Sequence, residues 1–344
     1  MREVLEETQS SHETRGHRLS NQARQPASDN LYADQMAEKA SSRESGAWET
    51  LREDLAGPAF VHSWPEISKI EALQADYPNF SEVCEFVIRK IGLSRHTPTT
   101  AVSLPNLLLE GGPSSGKSSF TERLTGILVG EDYARVDLGQ SATNFALVGS
   151  DSEFSRGKEG RILRLMAGDP KRRPVANPVV ILDEVDKALD DSKFNPLPAL
   201  LSLLEKRDAK RFTDEFFTVP VDASRVNFIG LANTLRPLSQ PLLSRFTIFQ
   251  IADYTEDQML SVVIPAIYRN WLGRFYPGTF PTSLSLATRQ EIADAAASIP
   301  RRVGAILDQF VSLGHPELTP APVWEGLAQY PVSPRGAVNG AARE

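Results

Sequence analysis

NLLLEGGPSSGKSS, residues 106–119, is the stretch that decides the fold. An apolar run of strand length, ending at Leu109, breaks directly into a Gly/Ser turn in which Gly111 to Ser118 fit G-x-x-x-x-G-K-[ST]. Glycine lets the backbone wrap so that successive N–H groups point inward, at the positive end of the helix that follows. Phe120, Leu124, Ile127 and Leu128 recur at helical spacing after the turn. An ordinary Gly/Ser turn is the simpler reading, but strand before and amphipathic helix after select a phosphate-binding loop. Gly111, Gly112, Pro113, Ser114, Ser115, Gly116 and Ser119 then form the cradle around Lys117 and Ser118. Lys117 is the cation for the β and γ phosphates, and Ser118 offers a hydroxyl to Mg²⁺.

Downstream, PVVILDEVDK (178–187) is a second apolar strand, delivering two carboxylates at its C-terminal end, where open α/β sheets collect ligands. Asp183 is read as a partner of Mg²⁺ and Glu184 as the group that polarises an attacking water. Alone, two acids after a strand are often a solvated turn; phosphoryl transfer needs them together with the Lys117 loop.

Short apolar runs continue at YARVDLG (133–139), RVNFIGLAN (225–233) and FTIFQIA (246–252), separated by helical segments. This alternation is the pattern of a parallel α/β sheet. After Ile251 the strands stop. Met259, Val262, Val263 and Ile267, then Ile292, Ala296, Val303, Ile306 and Phe310, recur at helical spacing and predict a small helical domain. Upstream, Ile67, Ile70 and Leu73, then Val83, Phe86, Val87 and Ile91, predict two short helices before the sheet. The expected organisation is a disordered segment at 1–57, a helical lead-in and linker at 58–103, a nucleotide-binding α/β domain at 104–252, a helical lid at 253–314 and an irregular tail at 315–344. The first segment is rich in Ser, Glu, Arg and Gln and poor in large apolar residues, too poor to offset chain entropy.

A net charge of −7 makes the surface as a whole repel a phosphate backbone, so nucleic acid is the less favoured partner. Cys84 is the only cysteine, which excludes an internal disulfide framework and a multi-cysteine metal site and fits a reducing, cytoplasmic compartment. The N-terminal MREVLEETQS lacks a signal-peptide pattern, and no apolar run has bilayer-spanning length, so no membrane partner is expected.

In order, the phosphate loop, the acid pair and the LAN strand resemble the AAA+ superfamily. The stretch from about Leu104 to Arg301 is similar to the ATPase module of Lon-type proteases, through LVGSDSEFSRGKEGRI, NPVVILDEVDK, PLPALLSLLE, RFTDEFFTVPVDASRVNFIGLANT and PLLSRF. It is closer still to stand-alone bacterial ATPases in which a segment like YPNFSEV precedes the first strand and I-P-R lies in the lid. The resemblance implies a P-loop NTPase fold with a five-stranded parallel sheet and a lid, ATP and Mg²⁺ as cofactors, and a ring homo-oligomer, commonly a hexamer. It implies a water-orienting polar sensor at Asn233, an arginine finger reaching a neighbour's ATP at Arg245, and a lid sensor at Arg301, with Arg302 as an adjacent candidate. It also implies a pore aromatic gripping a polypeptide at Phe154, although Ser155 and Arg156 stand where an apolar residue and Gly are usual. The Ser-Lys dyad of Lon-type enzymes is expected to be absent, because no lysine follows Lys210. The expected activity is ATP hydrolysis coupled to remodelling or threading of a protein client or adaptor. A nucleic-acid motor or loader and a slow ATP-dependent assembly switch are the alternatives.

Overall fold

In the computed structural model, the described residues are 55, 59–139, 147–150, 157–168, 172–188, 196–217 and 220–321. They fall into two compact units, Met1–Asp253 and Tyr254–Glu344. Among the described residues no helix is long and apolar enough to cross a membrane.

The first unit is built on a parallel sheet. The strands are β1 (Leu107–Gly111), β2 (Tyr133–Asp137), β3 (Val179–Asp183), β6 (Asn227–Ala232) and β7 (Thr247–Ile251), in the order β2-β3-β6-β1-β7. Each of the five apolar runs read from the sequence forms one of them. A small antiparallel pair, β4 (Phe212–Thr213) with β5 (Pro220–Val221), lies outside that sheet and was not anticipated, being too short to show a period. Strand residues alternate between faces. Leu108, Val180, Leu182 and Phe228 enter one core with α4 (Arg161–Ala167) and α5 (Leu197–Leu204). Leu107, Leu109, Val179, Ile181, Ile229 and Leu231 enter the other, with α1 (Ile67–Asp76), α2 (Ser81–Ser94) and α3 (Lys117–Val129). Burial on both faces explains why these strands read as unbroken apolar runs.

Two buried asparagines fasten the lead-in to the sheet. Asn177 accepts from the His62 N–H at 2.8 Å and donates to the His62 and Val102 carbonyls at 2.9 and 3.0 Å. Asn227 accepts from the Leu104 N–H at 2.7 Å and donates to the Asn177 carbonyl at 3.2 Å. Leu55, near the end of the segment expected to be disordered, is buried in the first core; the rest of that segment is outside the described residues.

The second unit is helical, with its own core around Met259, Ile264, Tyr268, Trp271, Ile292, Val303 and Leu307. Of the expected face, Met259 and Val263 are buried and Ile267 packs against that core, while Val262 is half-buried. Ile264, Tyr268 and Trp271 join them through a π-helix, Met259–Val263, that leads into α6 (Ile264–Leu272). Pro265 supplies the reason: it has no N–H to give the preceding turn, so the ladder widens there. The helices α7 (Leu286–Ala295) and α8 (Pro300–Ser312) complete the bundle. Residues 315–321, expected to be irregular, pack back on it. Leu318 is wholly buried, and the Glu317 carboxylate accepts from the Ser285 N–H at 2.7 Å and the Ser285 hydroxyl at 2.9 Å.

Candidate functional site

Because the strands are parallel, the residues that follow β1, β3 and β6 emerge at one edge of the sheet. This is how Lys117, Asp183 and Asn233, far apart in sequence, come together. The loop after β1 carries Ser114 at φ 71° and Gly116 at φ 92°, and the Ser115 N–H closes the turn on the Gly112 carbonyl at 3.4 Å. Gly111 cannot be larger, since a Cβ there would lie 2.5 Å from the Ile251 carbonyl oxygen. Lys117, the first residue of α3, is buried and donates to the carbonyls of Gly111 at 2.6 Å and Gly112 at 2.8 Å, to Ser115 Oγ at 3.3 Å and to Asn233 Oδ1 at 3.3 Å. Burial pulls its pKa below the ordinary value, and Asp186, Glu110, Asp183 and Asp253 offset part of that.

Glu184 follows β3 in the left-handed region, φ 53°, an uncommon place for a side chain and the kind of strain that gathers at functional sites. Its Oε1 accepts from Lys187 Nζ at 2.5 Å, and Gly139 leaves it room, because a Cβ at Gly139 would approach Oε2 to 2.4 Å. Asp183 Oδ1 accepts the Glu184 N–H at 3.0 Å. Asp183 Oδ2 is held by Arg135 of β2, through Nε at 3.0 Å and through a closer contact with a terminal nitrogen. The same Arg135 nitrogen donates to Ser118 Oγ at 3.3 Å, and the other terminal nitrogen donates to Glu122 Oε1 at 2.6 Å. A hydroxyl and a carboxylate oxygen thus already share one cation. That is the donor set a hard divalent ion such as Mg²⁺ takes, so these residues fit the metal that the loop implies.

Two residues that sequence reasoning passed over belong to this cluster. Asp186 Oδ2 accepts the Asn233 N–H at 3.2 Å, so the third acid of DEVD sets the position of Asn233. Arg135 was legible as a charge inside a strand of the sheet, between Ala134 and Val136. Two neighbours hold the loop from the side: Asn79 donates to the Ser115 carbonyl at 3.0 Å, and the Tyr77 hydroxyl bonds Ser119 Oγ at 2.6 Å.

Arg245 is not part of this cluster. The Asn106 side chain donates to the Arg245 carbonyl at 3.0 Å, which puts Arg245 level with the start of β1, at the opposite edge of the sheet from the loop. The length of β1 separates it from Gly112, roughly 20 Å at the usual strand rise. Its guanidinium donates to the Leu201 carbonyl at 3.2 Å and the Pro241 carbonyl at 2.5 Å. In the second unit, Arg301 and Arg302 are both exposed on the first turn of α8, after Ala297 and Ser298 at φ 50° and 54°. Phe154 lies outside the described residues. The residues flanking its segment converge on Asp214, whose wholly buried carboxylate accepts the N–H groups of Gly160 at 2.8 Å, Phe216 at 2.9 Å and Phe217 at 3.2 Å. Burial outweighs those bonds and raises the Asp214 pKa to about 7.

A glycine-rich loop between a central strand and a helix, facing acids on a parallel strand of a five-stranded sheet, defines a P-loop NTPase fold. Within that class, residues 106–246 match the AAA domain (dynein-related subfamily). The Lon protease of Halothermothrix orenii is 30% identical over 192 residues, 56% of this chain and 24% of its own length. The Lon protease of Chloroflexus aggregans is 33% identical over 201 residues, 58% of this chain and again 24% of the relative. The chain thus spans about a quarter of the length of these curated relatives. Among solved structures, S. cerevisiae Hsp104 in an extended complex with casein superposes with a TM-score of 0.54 at 18% identity, covering 72% of this chain and 46% of that one. That last likeness is one of fold.

Proposed function

We propose that this chain binds ATP with Mg²⁺, hydrolyses it in a ring of like subunits and uses the turnover to work on a protein client. The observation that carries this reading is the division of labour across the sheet: Lys117, Asp183, Glu184 and Asn233 share the edge where the strands end, and Arg245 stands at the other. One chain then holds a nearly complete site and offers the remaining cation to a different one. Head-to-tail contact between copies is the arrangement that uses both, and such contacts close into rings.

In this reading the inward N–H groups after β1 and Lys117 bind the triphosphate, and Ser118 and Asp183 hold Mg²⁺. The chemistry such an ion would supply is neutralisation of the charge that develops on the phosphate oxygens. Glu184 orients the attacking water once its carboxylate leaves Lys187, and Asn233, held by Asp186, faces the terminal phosphate beside Lys117. Arg245 stabilises transition-state charge in the neighbouring copy, and Arg301 senses nucleotide from the lid. A protein client is favoured by the relatives, which are proteases or, for Hsp104, a complex with casein. Phe154 is the proposed grip on it.

A second reading has one observation of its own. Arg161, Arg164, Arg172 and Arg173 line a hollow of about 240 Å³ beside the edge strand β2, which suits an anionic polymer. Asp132 and Glu159 line it too, and that interleaving weakens the field, so the protein client is preferred.

The test is a nucleotide-binding and turnover measurement on two variants. Lys117→Ala should abolish ATP binding, while Glu184→Gln should bind ATP and scarcely hydrolyse it. Normal turnover by Glu184→Gln would remove Glu184 from the chemistry. Stimulation by DNA that fades with salt would favour the second reading.

A further inference from the structure

We propose that Arg135 is the built-in counter-cation of the metal seat, competing with Mg²⁺ for Ser118 and Asp183. The inference rests on the ATP and Mg²⁺ reading of the site and adds a residue that neither the loop motif nor the acid pair contains. Three contacts carry it. The Arg135 guanidinium meets Asp183 Oδ2 through two nitrogens, one of which also reaches Ser118 Oγ at 3.3 Å, so a single positive charge spans the two oxygens assigned to the metal. Its remaining terminal nitrogen holds Glu122 Oε1 at 2.6 Å, on the first turns of α3. The Arg135 carbonyl, finally, accepts from Arg161 at short range, so the backbone under the side chain is tied down while the side chain itself is 38% exposed.

The electrostatics favour such a residue here. Asp183, Glu184 and Asp186 lie within four residues of one another, and each also faces a site meant for a polyanion. A permanent cation between Ser118 and Asp183 offsets their repulsion until a divalent ion takes over. Arginine suits the task better than lysine: it stays charged, and its planar fork can keep one arm on Glu122 while the other leaves Asp183. Burial works against the Arg135 charge, but the Asp183 and Glu122 carboxylates more than compensate and raise its pKa. When the metal arrives, the guanidinium retains Glu122 and yields the two shared oxygens.

The experiment measures affinity of the full chain for a fluorescent ADP analogue, first in EDTA and then across a Mg²⁺ titration. Arg135→Gln should weaken binding in EDTA about tenfold, because the stand-in charge is gone, and lower the Mg²⁺ midpoint by about three- to tenfold, because the competitor is gone. Arg135→Lys should fall between. Glu122→Gln, which deprives the guanidinium of its second anchor, should raise the midpoint instead, and it serves as the readout if Arg135→Gln melts early in the absence of nucleotide. An unchanged midpoint in Arg135→Gln together with an unchanged one in Glu122→Gln overturns the proposal, as does an equal loss of affinity with and without Mg²⁺. If the unaltered protein binds no analogue even with saturating Mg²⁺, the nucleotide reading fails, a result distinct from either.

Discussion

Replacing Arg245 with alanine separates a finger that works on a neighbour from an arginine that merely ties down its own loop. The structure sets two magnitudes. Locally, the guanidinium donates to the carbonyls of Leu201 and Pro241, two bonds at a half-buried position. Their loss should cost about 0.5–1.5 kcal/mol each, a modest drop in melting temperature. Functionally, Arg245 is the length of β1 away from its own phosphate loop, so ATP binding should be nearly unchanged. Hydrolysis should fall about 10³-fold, or about 4 kcal/mol of barrier, if the residue serves the next subunit's transition state. The assay mixes Arg245→Ala subunits with Lys117→Ala subunits, each inactive alone. In randomly mixed rings about a quarter of the head-to-tail interfaces pair an intact loop with an intact finger, so turnover should return to that order. Absence of recovery in rings verified as mixed, or full activity of Arg245→Ala, would refute the reasoning.

Asp214 offers a test by pH. Its pKa is about 7 in the fold against an ordinary 3.8, so the folded state binds the proton more tightly. Stability should therefore fall as pH rises from about 4 to about 7, by at most about 4 kcal/mol, and level off above. Asp214→Asn should flatten that dependence while adding a pH-independent loss of about 1–3 kcal/mol, since its amide N–H cannot accept from Gly160. Thermal unfolding at pH 5 and pH 8 reads the difference, and an equal gap between variant and parent at both values counts against a titrating Asp214. Phe154→Ala should keep basal ATP turnover and assembly while losing work on a protein client. A lower melting temperature with dissociation of the oligomer would instead make Phe154 a packing residue.

Local chemistry made a large part of this protein readable from its residues. The phosphate loop is a contiguous device, with glycine freedom, a lysine and a hydroxyl at set spacing, so Gly111 to Ser118 announce themselves without a fold. Strands buried on both faces leave unbroken apolar runs, as in β1, β3 and β6; the edge strands β2 and β7 still show apolar residues broken by polar ones, and the two-residue strands β4 and β5 are too short to show a pattern. Tertiary structure alone decided what meets what. Strand order seats β6 between β3 and β1, bringing Asn233 to Lys117 and Asp186 to Asn233. Strand pairing lays β2 against β3 so that Arg135 falls on Asp183, a contact 48 residues apart in the chain. The same parallel register sends Arg245 to the far edge, and the turn widened before Pro265 adds Ile264 to the buried face of the second unit beside Met259 and Val263. Spacing along a chain reports only contacts within a turn or a strand; contacts made by folding depend on which elements neighbour one another, and no short stretch of residues encodes that.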